Sequence, residues 1–327
     1  MSTTARVVCV NQGSIFPGSI AANREMILGL LDAALEEKPD IVCLPEAFAV
    51  GGLAGVELSE KVESVPGPST DACAQRARRG RCYVICPVKT ERDGRYWNSA
   101  VILDREGQVI GIYDKVCPVT SSHDYTEMEA GVTPGSQLPV FALDFGRIAV
   151  QICFDAGFPE NWQQLAEEGA RLVFWTSAYD GGFPLRCYAW LHRYYVASSV
   201  RAGRARVIDP LGAIVSESET GPGLVSREIN LDNLVFHNDF NHAQPALIEA
   251  RYGRRVEVRN SAPGSGHLLL EPRDAELKCA DLMKEFGLEP AAQYHQRHRE
   301  AYPHLRAGKE APPQNAAHGE RDQYQDD

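Results

Sequence analysis

Residues 145–160 read FGRIAVQICFDAGFPE. The apolar run at 147–152 has the length and composition of a buried strand, and Pro159 opens a stretch to residue 168 that reads as a helix with proline in its first turn. Cys153 stands between them. A turn from strand into helix sets a side chain on a rigid ledge beside the open amides of a helix N-terminus, which lower a thiol's pKa. That is a suitable address for a nucleophile.

The same pattern occurs twice upstream. Residues 40–44 (DIVCL) form a short apolar run that ends in Pro45-Glu46, and residues 109–113 lead through Asp114 to Lys115. Around these points the chain alternates strand and helix patterns. Residues 6–11 read as a buried strand, residues 23–37 as an amphipathic helix with Asn23 as its N-cap, and residues 69–79 as a second helix. Residues 81–88, 97–103 and 109–113 form a three-strand meander, marked by Asp93-Gly94 and Glu106-Gly107. Strands at 140–143, 147–152 and 172–175 follow, then a helix at 184–200, and strands at 205–208, 214–215 and 224–229. Antiparallel hairpins among βα units predict two sheets packed face to face with helices outside.

Bulk properties narrow the function. Of 327 residues, 44% are hydrophobic and 24% charged, and the formal net charge is −11. Such an acidic chain repels nucleic acid and anionic membranes, so neither is expected as a partner. Nine cysteines without CxxC pairs, several inside apolar runs, point to a reducing compartment, with cytoplasm as the expectation. No signal peptide and no apolar run of about 20 residues is visible. Composition changes after residue 288, and from about 306 the chain reads as a mobile polar tail.

Chemistry gives Glu46, Lys115 and Cys153 complementary roles. A carboxylate takes the thiol's proton, and an ammonium holds the oxyanion formed when sulfur attacks a carbonyl or nitrile carbon. No histidine is evidently partnered with Cys153, which argues against a Cys-His protease. Taken singly, each of the three is more commonly a core thiol or a solvated charge; the combination carries the reading.

Four segments bear a resemblance to the nitrilase, or carbon–nitrogen hydrolase, superfamily: LPEAF at 44–48, YWNSAVILDREGQVIGIYDK at 96–115, GVTPG at 131–135 and FGRIAVQICFDAGFPE at 145–160. The resemblance spans roughly residues 5–285 and implies a four-layer αββα sandwich over residues 1–288, with residues 289–327 as an extension. It also implies pairing of two chains into an eight-layer core, and hence a homodimer or higher homo-oligomer. Cys153 would form a thioester, with Glu46 as base and then acid, and Lys115 and the backbone N–H of Phe154 holding the oxyanion. The substrate would be a small linear amide or N-carbamoyl compound, and no metal or organic cofactor is expected. Many members carry a further glutamate before the turn. Glu127 and Glu129 both qualify; Glu127 is preferred, with Glu129 as the alternative on the substrate side. Gly157 stands where omega-amidase-like members often have arginine. Phe154-Asp155, in place of a tryptophan after the cysteine, leans toward amides or carbamoyl compounds over nitriles. A non-catalytic binding or scaffold protein of the same fold, and an acyltransferase, are the rival readings. His295 and His298, spaced i, i+3, are set aside as metal ligands because a lone pair near a tail rarely binds one.

Overall fold

The computed structural model describes residues 3–323. The described residues divide into two compact units, residues 3–229 and 230–323.

In the first unit the strands are β1 (Thr4–Asn11), β2 (Ile41–Cys43), β3 (Tyr83–Arg92), β4 (Arg95–Leu103), β5 (Val109–Asp114), β6 (Phe141–Leu143), β7 (Gly146–Ile152), β8 (Leu172–Ser177), β9 (Tyr195–Val200), β10 (Arg206–Ile208), β11 (Ile214–Glu217) and β12 (Gly223–Asn230). The helices are α1 (Ile20–Glu36), α2 (Leu58–Lys61), α3 (Pro68–Gly80), α4 (Pro159–Glu167) and α5 (Gly182–His192). All twelve strands belong to one hydrogen-bonded sheet of order β5-β4-β3-β2-β1-β9-β8-β7-β6, with β10 and β11 beyond β9 and β12 beside β1. The two predicted sheets are thus halves of one, joined where Asn11 pairs with Val200.

The halves face each other. Thr176 on β8 donates to the Leu44 carbonyl at 2.9 Å, Ser199 on β9 to the Cys43 carbonyl at 2.7 Å, and Gln151 on β7 to the Tyr113 hydroxyl on β5 at 3.2 Å. The helices cover the outer faces, giving the four-layer α/β sandwich expected. On one side Ile27, Leu31 and Ala34 of α1 and Cys73 and Ala77 of α3 pack on Val8, Val42 and Val84. On the other, Trp162 of α4 stacks on Tyr188 of α5 at 4.4 Å. Buried aromatic pairs of this kind add about 1 kcal/mol to the burial itself.

Two expectations need correction. The helix at 184–200 is two elements. Arg193 adopts φ 57° and ends α5, and residues 195–200 (YVASSV) form the fully buried strand β9. Its β-branched and aromatic residues suit a central strand, and pairing on both sides outweighs the helical spacing. The first helix begins at Ile20, with the Ser19 hydroxyl accepting from Ala22 at 3.1 Å. Asn23 is inside that helix, and its buried amide donates to the Ala49 and Gly51 carbonyls, pinning the loop after Glu46.

The compact units divide at residue 230, whereas the sequence reading carries its first domain to 288. The second unit holds a three-stranded antiparallel sheet of β13 (Leu234–His237), β15 (His267–Pro272) and β14 (Val256–Arg259), in the order β13-β15-β14. With it are α6 (Gln244–Tyr252), α7 (Cys279–Phe286) and α8 (Ala291–Arg306). It has its own core of Leu234, Phe236, Ile248, Leu270, Leu282 and Leu288. The stretch read as a mobile tail is anchored as far as it is described. Gln314 donates to the Arg297 carbonyl, Arg321 to the Phe286 carbonyl, and His318 stacks on Phe240 at 4.0 Å. Residues 324–327 lie outside the described residues. Among the described residues no helix is long and apolar enough to cross a membrane.

Candidate active site

Glu46, Lys115 and Cys153 each follow the end of a strand, β2, β5 and β7, and the sheet brings all three to one cavity of about 480 Å³. Lys115 is 1% exposed, and its Nζ lies 3.2 Å from Glu46 Oε1 and 2.5 Å from Glu129 Oε1. Burial works against its charge, but Glu46 and Glu129 raise its pKa well above the usual lysine value, so it stays an ammonium. Glu46 is likewise penalised by burial, yet Lys115 and Arg201 hold its pKa below the ordinary carboxylate range. Its Oε1 accepts from Asn98 at 2.9 Å. Its Oε2 accepts no hydrogen bond among the described residues, and the Arg201 guanidinium stands 3.8 Å away. That oxygen is the one available to take a proton.

Cys153 occupies the left-handed region, with φ 51°. A non-glycine residue there stores on the order of 1 kcal/mol of strain, tolerated where the surroundings fix it. The surroundings here are hydrogen bonds. Trp175 Nε1 donates to the Cys153 carbonyl at 3.1 Å. The buried Asp155 carboxylate accepts from the N–H of Ile152 at 2.8 Å, the N–H of Cys117 at 2.9 Å and the Tyr113 hydroxyl at 2.6 Å. Asp155 therefore ties the segment after Lys115 to the turn that carries Cys153. Phe154 is the next residue of the 3-10 turn Cys153–Gly157; its ring is exposed and packs edge-on against Phe158 at 5.6 Å. Its N–H lies in the first turn, where helix amides have no partner within the helix.

The thiol is not acidified as its address predicts. Burial and then the charge of Glu46 push the Cys153 pKa up to about 11, and Lys115 and Ser177 only partly offset them. At neutral pH the resting group is a thiol, so attack requires a base to remove the proton as the bond forms.

Of the two candidate glutamates, the structure places Glu129, not Glu127, beside Lys115. Glu127 is exposed and accepts from the Ser121 hydroxyl at 2.8 Å. Glu129 adopts φ 43°, which turns its carboxylate inward onto Lys115, Lys89 and the Asn98 amide. Sequence spacing gives no sign of which glutamate turns in, because the choice rests on backbone dihedrals in an irregular loop. Asn98, Lys89 and Arg201 also escape the sequence reading. The available signal for Asn98 was its position in the quoted YWNSAV run, where an amide in a strand flanked by buried residues needs polar partners.

Lys89 and Lys115 lower the Glu129 pKa to about 2 against the cost of burial. A depressed carboxylate stabilises the fold above its unfolded pKa, and that stabilisation is lost as pH falls through the folded value. We expect a contribution on the order of 3 kcal/mol, present above about pH 4.5 and lost toward pH 2. Urea unfolding across that window should show the gap between the wild type and Glu129→Gln closing as pH falls. Glu129→Gln should also cost roughly a hundredfold in kcat/KM, with Glu127→Gln near the wild type. Equal losses for the two would overturn the assignment.

The carbon–nitrogen hydrolase family model matches residues 6–235. The deaminated glutathione amidase of Synechocystis is 27% identical over 232 residues, covering 63% of this chain and 85% of that one. An omega-amidase of Xenopus laevis is 26% identical, covering 63% and 82%. The fold is shared with an amidase from Nesterenkonia sp. AN1 solved with acrylamide added at its active-site cysteine (TM-score 0.59, 22% identity, 68% and 92% covered). It is also shared with a carbon–nitrogen hydrolase from Helicobacter pylori (TM-score 0.62, 18% identity, 70% and 90% covered). With its family match running from β1 into β13 and a glutamate, a lysine and a cysteine facing one cavity, the chain belongs to the carbon–nitrogen hydrolase family.

Proposed function

We propose that this enzyme hydrolyses a small linear amide or N-carbamoyl compound through a thioester on Cys153. The observation that carries the reading is a buried ammonium, Lys115, held between Glu46 and Glu129 in the same cavity as Cys153. Glu46 Oε2 takes the thiol proton as sulfur bonds to the carbonyl carbon. The Lys115 ammonium and the Phe154 N–H hold the oxyanion. Glu46 returns the proton to the leaving nitrogen, the C–N bond breaks, and ammonia or an amine departs. Glu46 then deprotonates water, which attacks the thioester, and the acid and the thiol are restored. Catalysis rests on charge already in place, which costs no reorganisation during the reaction.

Intact-mass measurement after incubation with amides, carbamoyl amino acids and nitriles tests this. An acyl adduct on Cys153 with released ammonia supports it, and an adduct on another cysteine sinks it. Transfer of the acyl group to an added amine in preference to water would make the enzyme a transferase.

Val50, Gly55, Val56, Glu57, Leu58 and Lys61 supply one wall of the cavity. Lys61 and Arg201 there favour a substrate whose far end carries a carboxylate. Lys61→Ala then raises KM for carboxylate-bearing amides roughly tenfold, an ordinary value for one charged hydrogen bond, and leaves neutral amides unchanged. An equal change for both would remove the charge argument. All nine cysteines are free, in keeping with a reducing, cytoplasmic setting. A homo-oligomer completes the reading, and light scattering decides it.

A further inference from the structure

The second unit brings together three histidines that are distant in sequence. His237 ends β13, His267 begins β15, and the two face each other as a cross-strand pair. His295 comes from α8, which packs on β13. One ring nitrogen from each lies within 4.8 Å of the other two. Ring centroids are 5.1 Å apart for His237 and His267, 5.6 Å for His267 and His295 and 6.0 Å for His237 and His295, with interplanar angles of 79°, 86° and 68°. The three rings lie at steep angles to one another instead of stacking. His298, the neighbour that sequence spacing paired with His295, instead turns its Nδ1 to the Tyr294 carbonyl at 2.9 Å.

We propose that His237, His267 and His295 bind a divalent transition-metal ion of the zinc class, which fastens α8 to the small sheet. Imidazole suits such ions, and a tetrahedral site with metal–nitrogen bonds near 2.0–2.1 Å places its nitrogens roughly 3.3 Å apart, so the rings need move inward only about 1 Å.

The surrounding contacts orient the ligands. His267 Nδ1 lies 2.9 Å from the Ser265 carbonyl, so that nitrogen carries the proton and Nε2 presents its lone pair. The Asp239 N–H donates to His237 Nδ1 at 3.1 Å, and Asp239 Oδ1 lies 3.3 Å from the same nitrogen. An ion binding at Nε2 would shift the ring proton to Nδ1, where Asp239 Oδ1 stands to accept it. The Tyr294 hydroxyl fixes Asp239 by donating to Oδ2 at 2.6 Å, and the Tyr294 ring stacks on His237 at 4.6 Å. A carboxylate behind a histidine ligand is a recurrent support of metal sites. A hollow of about 300 Å³ lined by Tyr294, His295, His298, Arg299 and Tyr302 opens beside His295.

The test is a titration of the chelator-stripped full chain with Zn²⁺ and with Co²⁺, read by metal content, the visible cobalt spectrum and thermal unfolding. One equivalent per chain, cobalt bands of a tetrahedral nitrogen site without a thiolate charge-transfer band, and a rise in Tm are expected. His295→Asn, on the half-buried face of α8, should lose at least a hundredfold in affinity with an unchanged circular dichroism spectrum. Asp239→Asn should weaken binding roughly ten- to a hundredfold. Sub-stoichiometric metal, a thiolate band, or His295→Asn binding as tightly as the wild type would each overturn the proposal.

Discussion

Replacing Cys153 with alanine is expected to abolish turnover, by roughly a factor of 10⁵ to 10⁶, the scale seen when a covalent nucleophile is removed. Stability should scarcely change. Alanine tolerates φ 51° no better and no worse than cysteine, and the hydrogen bond from Trp175 goes to the backbone carbonyl, which remains. Cys153→Gly should be as inactive but about 1 kcal/mol more stable, because glycine takes up that conformation without strain. Activity assays alongside thermal unfolding separate the two effects. Full activity in Cys153→Ala would move the nucleophile elsewhere. A collapse in stability would mean that the thiol serves the core.

Glu46→Gln carries the second largest effect, a loss of roughly 10² to 10⁴ in kcat/KM. Glutamine keeps the shape and can still accept from Asn98, but it cannot take a proton, and the resting Cys153 is a thiol whose pKa stands at about 11. The pH profile then changes form. In the wild type the acid limb lies below the ordinary carboxylate range, because Lys115 and Arg201 keep Glu46 ionised despite its burial. In the variant that limb disappears. The rate should instead climb with pH about tenfold per unit as hydroxide generates the thiolate, and the climb should end earlier than in a variant that keeps the Glu46 charge. A flat profile would show that Glu46 is not the base. The same substitution leaves Lys115 with Glu129 as its remaining carboxylate partner. Breaking a buried pair costs about 3–5 kcal/mol, and the retained Glu129 should keep the loss toward the lower end.

Local sequence determined a good deal of this protein. Apolar runs of strand length that end in Glu46, Lys115 and Cys153 mark where the three side chains leave the sheet, because a strand end fixes where a side chain must emerge. The meander β3-β4-β5 was legible from its turn dipeptides, and the layered α/β architecture from the order of its elements. Tertiary structure decided the rest. Residues 195–200 became a strand because β8 pairs along one edge and β10 and β1 along the other, which helical spacing cannot reveal. Glu129 rather than Glu127 lies at Lys115 because a left-handed backbone turns it toward two lysines, and loop dihedrals depend on contacts made far along the chain. The Cys153 thiol is raised in pKa where its helix-start position predicted lowering, because burial beside Glu46 outweighs nearby amides. The three histidines meet only once β13 and β15 pair and α8 packs beside them; separations of 30 and 28 residues leave no trace in a motif. Sequence fixes what lies within a few residues of a strand end or turn. Charge balance, burial and convergence of distant side chains exist only in the folded chain.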